Sequence, residues 1–595
     1  MRQEAEYDYV IVGAGAGGGP LAANLAKAGF KVLLLDAGGE TDNLSYSVPA
    51  FNGLATEDQN FRWDYFVRHY TNEEQQRRDP KFVDRENGIL YPRAGGLGGC
   101  TQHNAMITIY PSNSDWDQIA EITGDDSWKA DAMRAYFQRV ERCQYLDQAR
   151  ILAGKHGSSG WLATEHADPT GTPPDWQLQT TVQYGLGASG MQPIKPDLDP
   201  NAWDVTAERK EGFLEVPLAT NRHTRNGPRE YVRAIARQFP QNLIIRTHAF
   251  VTRVLLDSEN TATGVEFLDG AHLYKADPNA GRDCQLTEPS RHTVSVKREV
   301  ILCGGTYNTP QLLMLSGIGP KAQLDAHGIA VRIDLPGVGQ NLQDRYEVGV
   351  VSEMAADWTS SAGCTYGDDP EQDPCLAQWL ESRTGPYTSS GALIAFLRRS
   401  TPDKVDPDLF IFGISSHFQG YFPLWFSTYQ KVKNAFTWVV LKAHTRNTAG
   451  TVELRSADPL DTPLVNFHYF EEGNNEDGSD LDAVVQGVLF TRQIMAGSPY
   501  VKSELVPGAG VQTTDEIKQF IRNQAWGHHC SCTCKIGADN DPMAVLDSNF
   551  RVRGAKNLRV VDASVFPHIP GYFIVLPIYM ISEKAADVIL RDARA

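Results

Sequence analysis

Positive charge is scarce in this sequence: 55 Lys and Arg stand against 73 Asp and Glu, a net charge of −18. Nucleic acids and anionic membrane surfaces attract basic partners, so this balance argues against both. No run of about 18 uncharged apolar residues occurs, which excludes a spanning helix. The opening Met1-Arg2-Gln3-Glu4-Ala5-Glu6 has neither the basic nor the apolar region of a secretory signal, and the first apolar stretch, at Tyr9, breaks at Gly13. The expected location is therefore cytoplasmic. Cysteine is sparse and odd in number, nine in 595 residues, which does not read as a disulfide framework. Cys364 and Cys375 flank an acidic loop and are expected to stay unpaired in a reducing compartment. Internal repeats and low-complexity segments are missing too. A hydrophobic content of 41 % and a charged content of 22 % are those of an ordinary globular chain, and the length calls for two or more domains.

What is present begins with a compact βαβ pattern. Tyr9-Val-Ile-Val12 is a short apolar run ending at glycine, Ala16 to Ala28 is an Ala- and Leu-rich helix stopped by Gly29, and Val32-Leu-Leu-Leu35 is a second strand. Between them lies Gly13-Ala-Gly15-Ala-Gly17-Gly18. Glycines at these positions permit a tight turn and bring backbone N–H groups to a pyrophosphate at the helix N-terminus. Asp36 closes the second strand where a ribose-binding acid belongs, and its charge disfavours a 2′-phosphate. The unit predicts a dinucleotide site and leaves NAD and FAD open. Further strands are expected at 242–246, 252–256, 264–267 and 300–302. Helices are expected at 127–145, 310–316 and 578–594. Residues 41–90 and 168–211 read as irregular, and 346–524 as a separate antiparallel sheet.

Four further segments are more specific. Tyr91–Met106 (YPRAGGLGGCTQHNAM), Gly304–Pro320 (GGTYNTPQLLMLSGIGP), Leu335–Asp344 (LPGVGQNLQD) and Asn557–Pro567 (NLRVVDASVFP), the last followed by Glu583-Lys-Ala-Ala-Asp587, appear in this order. Together they resemble the signatures of the glucose–methanol–choline (GMC) oxidoreductase family. The resemblance implies FAD, an α/β FAD-binding domain of Rossmann type and an α+β substrate domain with an antiparallel sheet. The implied FAD domain is discontinuous, 1–165, 222–345 and 526–595, with 41–100 covering the flavin; 166–221 and 346–525 form the substrate domain. Carried over by residue, Gly13, Gly15, Gly18, Asp36 and the adjoining Ala37 hold the ADP half. Arg93, Gly98, Gly99, Asn104 and Ala105 line the flavin end, Val251 meets adenine through its backbone, and Asp562 and Ala563 lie near the pyrophosphate and ribityl chain.

The implied reaction is oxidation of a CH–OH group to the carbonyl, with hydride passing to flavin N5, and with oxygen or another electron acceptor closing the cycle. In Trp526–Gly537 (WGHHCSCTCKIG), Thr533 and Gly537 set the family register and make His529 the base. An imidazole suits that task because its pKa lies near neutrality. His528 is expected on the opposite face of an extended segment, in a structural role. The family's second polar residue, His or Asn, falls on Phe573, which forms no hydrogen bonds; Tyr572 beside it is a candidate substitute. His103 precedes Asn104 as in choline-oxidase-like members, where that histidine is bonded to the flavin. Here it either carries such a bond or packs at the ring edge. Cys530, Cys532 and Cys534 would share one face of a strand, as buried reduced thiols or a metal or redox site; buried thiols are favoured, and no metal is expected. The aromatics of 410–412, 416–418 and 420–426 either wall a pocket for an aryl or apolar alcohol or form core. A lyase or photoenzyme on this fold, and a flavin-binding sensor, are the alternative functions.

Overall fold

Tyr7–Val12 and Val32–Leu35 lie side by side as parallel strands, Tyr9 against Val32 and Val12 against Leu35. All four residues of the second strand are buried, as a strand covered on both faces requires. The helix Gly18–Lys27 connects them and starts two residues later than expected, because the glycine turn extends through Gly17. The computed structural model describes residues 7–188, 197–281, 289–475 and 477–594. The Met1–Glu6 segment read as lacking a secretory signal lies outside the described residues.

A seven-stranded sheet grows from this unit in the order Leu243–Arg246, Val32–Leu35, Tyr7–Val12, Ser290–Leu302, Ala262–Asp269, Ala249–Leu256, with Leu558–Val560 also paired to Ser290–Leu302. The long strand Ser290–Leu302 belongs to two regimes. Its C-terminal half runs parallel to Tyr7–Val12 and Leu558–Val560, and its N-terminal half pairs antiparallel with Gly264–Asp269. A second sheet is wholly antiparallel: Val501–Val506, Tyr346–Met354, Ala435–Lys442, Leu409–Ile414, Ala392–Arg398, Gly212–Glu215. The α/β and antiparallel architecture expected from the sequence is the one observed. Among the described residues no helix is long and apolar enough to cross a membrane.

Several local expectations are corrected. Within 41–90 and just beyond it, Arg62–Val67, Gly88–Ala94 and Phe82–Val83 form a small sheet. Within 168–211, Trp176–Ala188 is a helix. The helix of 127–145 is confined to Ala130–Val140 and gives way to a strand, Glu141–Cys143. Helices also interrupt 346–524, notably Ser479–Met495 and Thr514–Gln524. The closing helix runs over Val575–Asp592. The helix assigned to 310–316 is Gly305–Leu315, with Pro310 in its interior. Proline removes an i→i−4 hydrogen bond, here the one to the Thr306 carbonyl. The Thr533 hydroxyl donates to that carbonyl at 2.7 Å and restores the partner. Cys364 and Cys375, expected apart, are joined as a disulfide. The pairing runs against the reducing compartment from which their separation was expected.

Candidate active site

The glycine turn is built for close approach. Gly13 has φ of +103°, and a Cβ there would stand 2.3 Å from the Cys303 carbonyl oxygen. A Cβ on Gly17 would stand 2.0 Å from the Val561 carbonyl oxygen. The helix that follows has no side-chain N-cap and no acid in its first turn, so its amides and its dipole are open to an anion. Asp36 is buried and accepts from the amides of Ala14 (2.7 Å), Gly38 (2.9 Å) and Gly96 (2.7 Å), fastening this turn to the 94–99 loop. Burial pushes its carboxyl up against the pull of those donors.

One cavity brings together most of the residues named from the sequence. Gly13, Gly15, Asp36, Ala37, Arg93, Gly99, His103, Asn104, Ala105, Val251, Asp562, Ala563, His528, His529 and Phe573 all line it. Gly18 and Gly98 do not. A Cβ on Gly18 would lie 2.0 Å from the Gly13 carbonyl oxygen, so it serves helix-to-strand packing. Gly98 donates its amide to the Ala14 carbonyl at 3.0 Å and joins the two loops from behind. Asp562 faces the cavity but spends its carboxylate on the Gly305 amide (2.9 Å), the Thr309 hydroxyl (2.6 Å) and the Ser564 amide (2.8 Å). Asn104 is held by the buried Arg225, whose Nη1 donates to Asn104 Oδ1 at 2.7 Å.

Two adjacent histidines, His528 and His529, line this cavity. Their ring centroids are 4.1 Å apart, so His528 does not point away from His529. The segment is not a strand, and the alternation argument fails with it. The His529 amide donates to Asp344 Oδ1 (2.8 Å), and Tyr91 donates its hydroxyl to Asp344 Oδ2 (2.6 Å) while accepting from the Cys530 amide (2.8 Å). Burial, and then the neighbouring charges of Arg93, hold the His528 ring down at about 3. Burial likewise keeps His529 well below its ordinary value, with His528, Arg345 and Arg93 adding to it. Both rings are neutral bases at physiological pH. Phe573 stands edge-on to His529 with centroids 5.5 Å apart. Tyr572 does not replace the missing polar group: it is buried and its hydroxyl donates to the Pro407 carbonyl at 2.8 Å.

The aromatic segments supply a wall. Phe412, Phe418, Tyr421, Trp425, Phe426 and Tyr429 line the cavity, while Phe410 backs Phe573 at 5.1 Å. Glu347 also lines it, and sequence reasoning missed it. Its signal was a lone acid in the otherwise apolar Tyr346–Val351 run. The cysteine cluster is not on one face. Cys530 packs into one hydrophobic cluster, whereas Cys532 and Cys534 pack into another. Burial pushes all three thiols up, Cys532 to about 12, so they stay protonated. Glu347, His528 and His529 present ligand-type atoms within 4.8 Å of one another. Arg93 Nη1 sits 3.3 Å from the His528 carbonyl oxygen, a guanidinium that opposes a dication there.

A glycine turn open to an anion, two adjacent imidazoles and an apolar wall share this one cavity. The N- and C-terminal profiles of GMC oxidoreductase match residues 7–347 and 446–582. The chain belongs to the GMC oxidoreductase family. It is 29 % identical to the choline oxidase of Arthrobacter globiformis over 100 % of this chain and 95 % of that one. It is also 29 % identical to an alcohol dehydrogenase [acceptor] of Pseudomonas putida, over 98 % and 96 %. Formate oxidase of Aspergillus oryzae, in a variant form, shares the fold with a TM-score of 0.81 at 22 % identity, covering 100 % of both chains. The cofactor is FAD, and the reaction class is FAD-dependent alcohol oxidation. The cavity fits that cofactor: the uncapped helix end receives phosphate, and the buried His103 Nε2 has no protein partner.

Proposed function

We propose that the protein oxidises a primary alcohol with an aryl or apolar substituent to the carbonyl compound, with His529 as the general base. FAD, when bound, supplies a hydride acceptor at N5. His529 takes the hydroxyl proton, its ring already neutral and held by Asp344 through the backbone. Phe573, Phe412 and Tyr421 exclude water and seat the apolar substituent. The observation that carries this reading is a buried neutral His529 set against Phe573 inside an aromatic-walled cavity. Anaerobic bleaching of the holoenzyme by a panel of benzyl alcohol, choline and short alcohols tests the substrate. Admission of air to the bleached enzyme separates oxidase from dehydrogenase. His529→Ala retains FAD and loses 10²- to 10⁴-fold in reduction rate, the typical worth of one base. A large loss in His528→Ala with little in His529→Ala assigns the base to His528 instead.

We propose further that His103 is joined to the 8α-methyl carbon of the flavin. Burial, reinforced by Arg93, Arg225 and His528, holds its ring down at about 3, so the ring is neutral with a lone pair on one nitrogen, and Nε2 has no partner among the described residues. An imidazole fixed against its target gains much of its rate from proximity. Acid precipitation leaves the yellow colour in the pellet. Free FAD in the supernatant, with the bare-chain mass for the protein, rejects the bond.

A further inference from the structure

Glu347 lies on Tyr346–Met354 with none of its side chain exposed, and neither carboxyl oxygen closes a hydrogen bond. The ring nitrogens around it share that condition: His528 Nδ1, His529 Nδ1 and Trp526 Nε1 are buried and without partners. One oxygen, Oε1, stands 3.4 Å from Nδ1 of His528 and 3.4 Å from Nδ1 of His529. An ionised carboxylate buried without partners costs several kcal/mol, so the group keeps its proton instead. Burial, with the nearby Asp344, pushes the carboxyl well above its ordinary value, although the charge of Arg345 pulls the other way. With both rings neutral, the cluster is a carboxylic acid between two imidazoles.

We propose that protonated Glu347 holds the two histidines in opposite tautomers. Its O–H donates to Nδ1 of His528, and the same oxygen accepts from Nδ1–H of His529. His528 then carries its remaining proton on Nε2 and offers the cavity a donor. His529 keeps an Nε2 lone pair and offers an acceptor. The alcohol oxygen accepts from His528 while its proton passes to His529, so His528 fills the polar role that Phe573 cannot. The Glu347 proton stays on Glu347 throughout. Arg93 bears on both rings and Arg345 on His529 as well, so the orientation of the Glu347 O–H, not the surrounding charge, sets which ring accepts. Glu347 is thus a positioning residue. The inference rests on His529 as base.

The test is anaerobic reduction of the holoenzyme by benzyl alcohol across pH 6–10. Glutamine copies the shape of a protonated Glu347 and its donor to His528, cannot accept from His529 Nδ1–H through the same atom, and cannot copy a carboxylate. Glu347→Ala slows reduction about 10- to 100-fold, and Glu347→Gln runs at least tenfold faster than Glu347→Ala. His528→Ala shows a similar loss, and His528→Asn, whose amide still donates, recovers about tenfold. The groups facing Glu347 are Asp344, Arg345, His528, His529, Tyr421 and Tyr469. All remain in Glu347→Gln, so an alkaline loss of rate present in the wild type and missing in this variant belongs to Glu347. If Glu347→Gln is as slow as Glu347→Ala, the donor to His528 is not what Glu347 supplies, and the tautomer assignment is overturned while a slow His529→Ala still upholds the base. If His529→Ala is fast, the base assignment itself has failed.

Discussion

Phe573 stands where the family resemblance leads one to expect a His or Asn. It is buried, edge-on to His529 at 5.5 Å and to Phe410 at 5.1 Å, so it forms an apolar wall between His529 and the antiparallel sheet. An apolar wall beside the base favours alcohols whose substituent is apolar and leaves small polar alcohols poorly held. Phe573→Asn returns the family's hydrogen-bonding side chain to this position. Reduction by methanol and ethanol is expected to speed up, and reduction by benzyl alcohol to slow down, both read by anaerobic stopped flow. The variant is expected to lose about 2–4 kcal/mol of stability for the cavity it opens. Slower reduction by every alcohol would show that the ring itself seats the substrate.

At the scale of elements, the parts that repeat a local pattern were legible. Val32–Leu35 is the strand expected to the residue, and a glycine turn joins the first strand to the first helix as expected. Legibility fails where a distant partner rewrites a local rule. Pro310 reads as a helix start until the Thr533 hydroxyl, far along the chain, takes over the carbonyl it frees. His528 and His529 read as alternating faces until the segment proves irregular, drawn round by the Asp344 carboxylate that binds the His529 amide. Cys364 and Cys375 read as separate because compartment was inferred first and geometry was unseen. Glu347 had a signal, a charge inside an apolar strand, but its meaning depends on ring nitrogens some 180 residues away in the chain.

At the scale of the whole molecule, a buried polar network ties the flavin-side loop to the segments leading into the second sheet. His156, with no side-chain exposure, has Nδ1 2.9 Å from Glu141 Oε2 and Nε2 3.1 Å from Asp199 Oδ2. Asn201 accepts from the Tyr110 amide (2.7 Å) and donates to the Thr108 carbonyl (3.0 Å). The Met106 carbonyl in turn accepts from the Ala219 amide, two residues past Asn104. Burial alone would lower the His156 pKa, but its hydrogen bonds to Asp199, Cys143 and Glu141 outweigh burial and hold it up at about 11. A group whose folded pKa exceeds its unfolded value, about 6.5, contributes stability that is full below 6.5 and lost as pH rises through the folded value. Asp199 is shifted the other way, below its ordinary value, so its share persists above the unfolded carboxylate range and fades only in acid. The alkaline limb therefore belongs to His156. Raising the pH from 6 to 10 is expected to speed amide exchange in Glu141–Cys143 and Leu162–Thr164. His156→Gln exchanges fast already at pH 6, because it leaves two buried carboxylates without a cation. Its gap from the wild type narrows as pH rises toward 11. Hydrogen exchange read by mass spectrometry decides the matter: a gap that stays constant from pH 6 to 10 means that His156 is neutral in the fold, and that the network holds the cofactor loop without an ion pair.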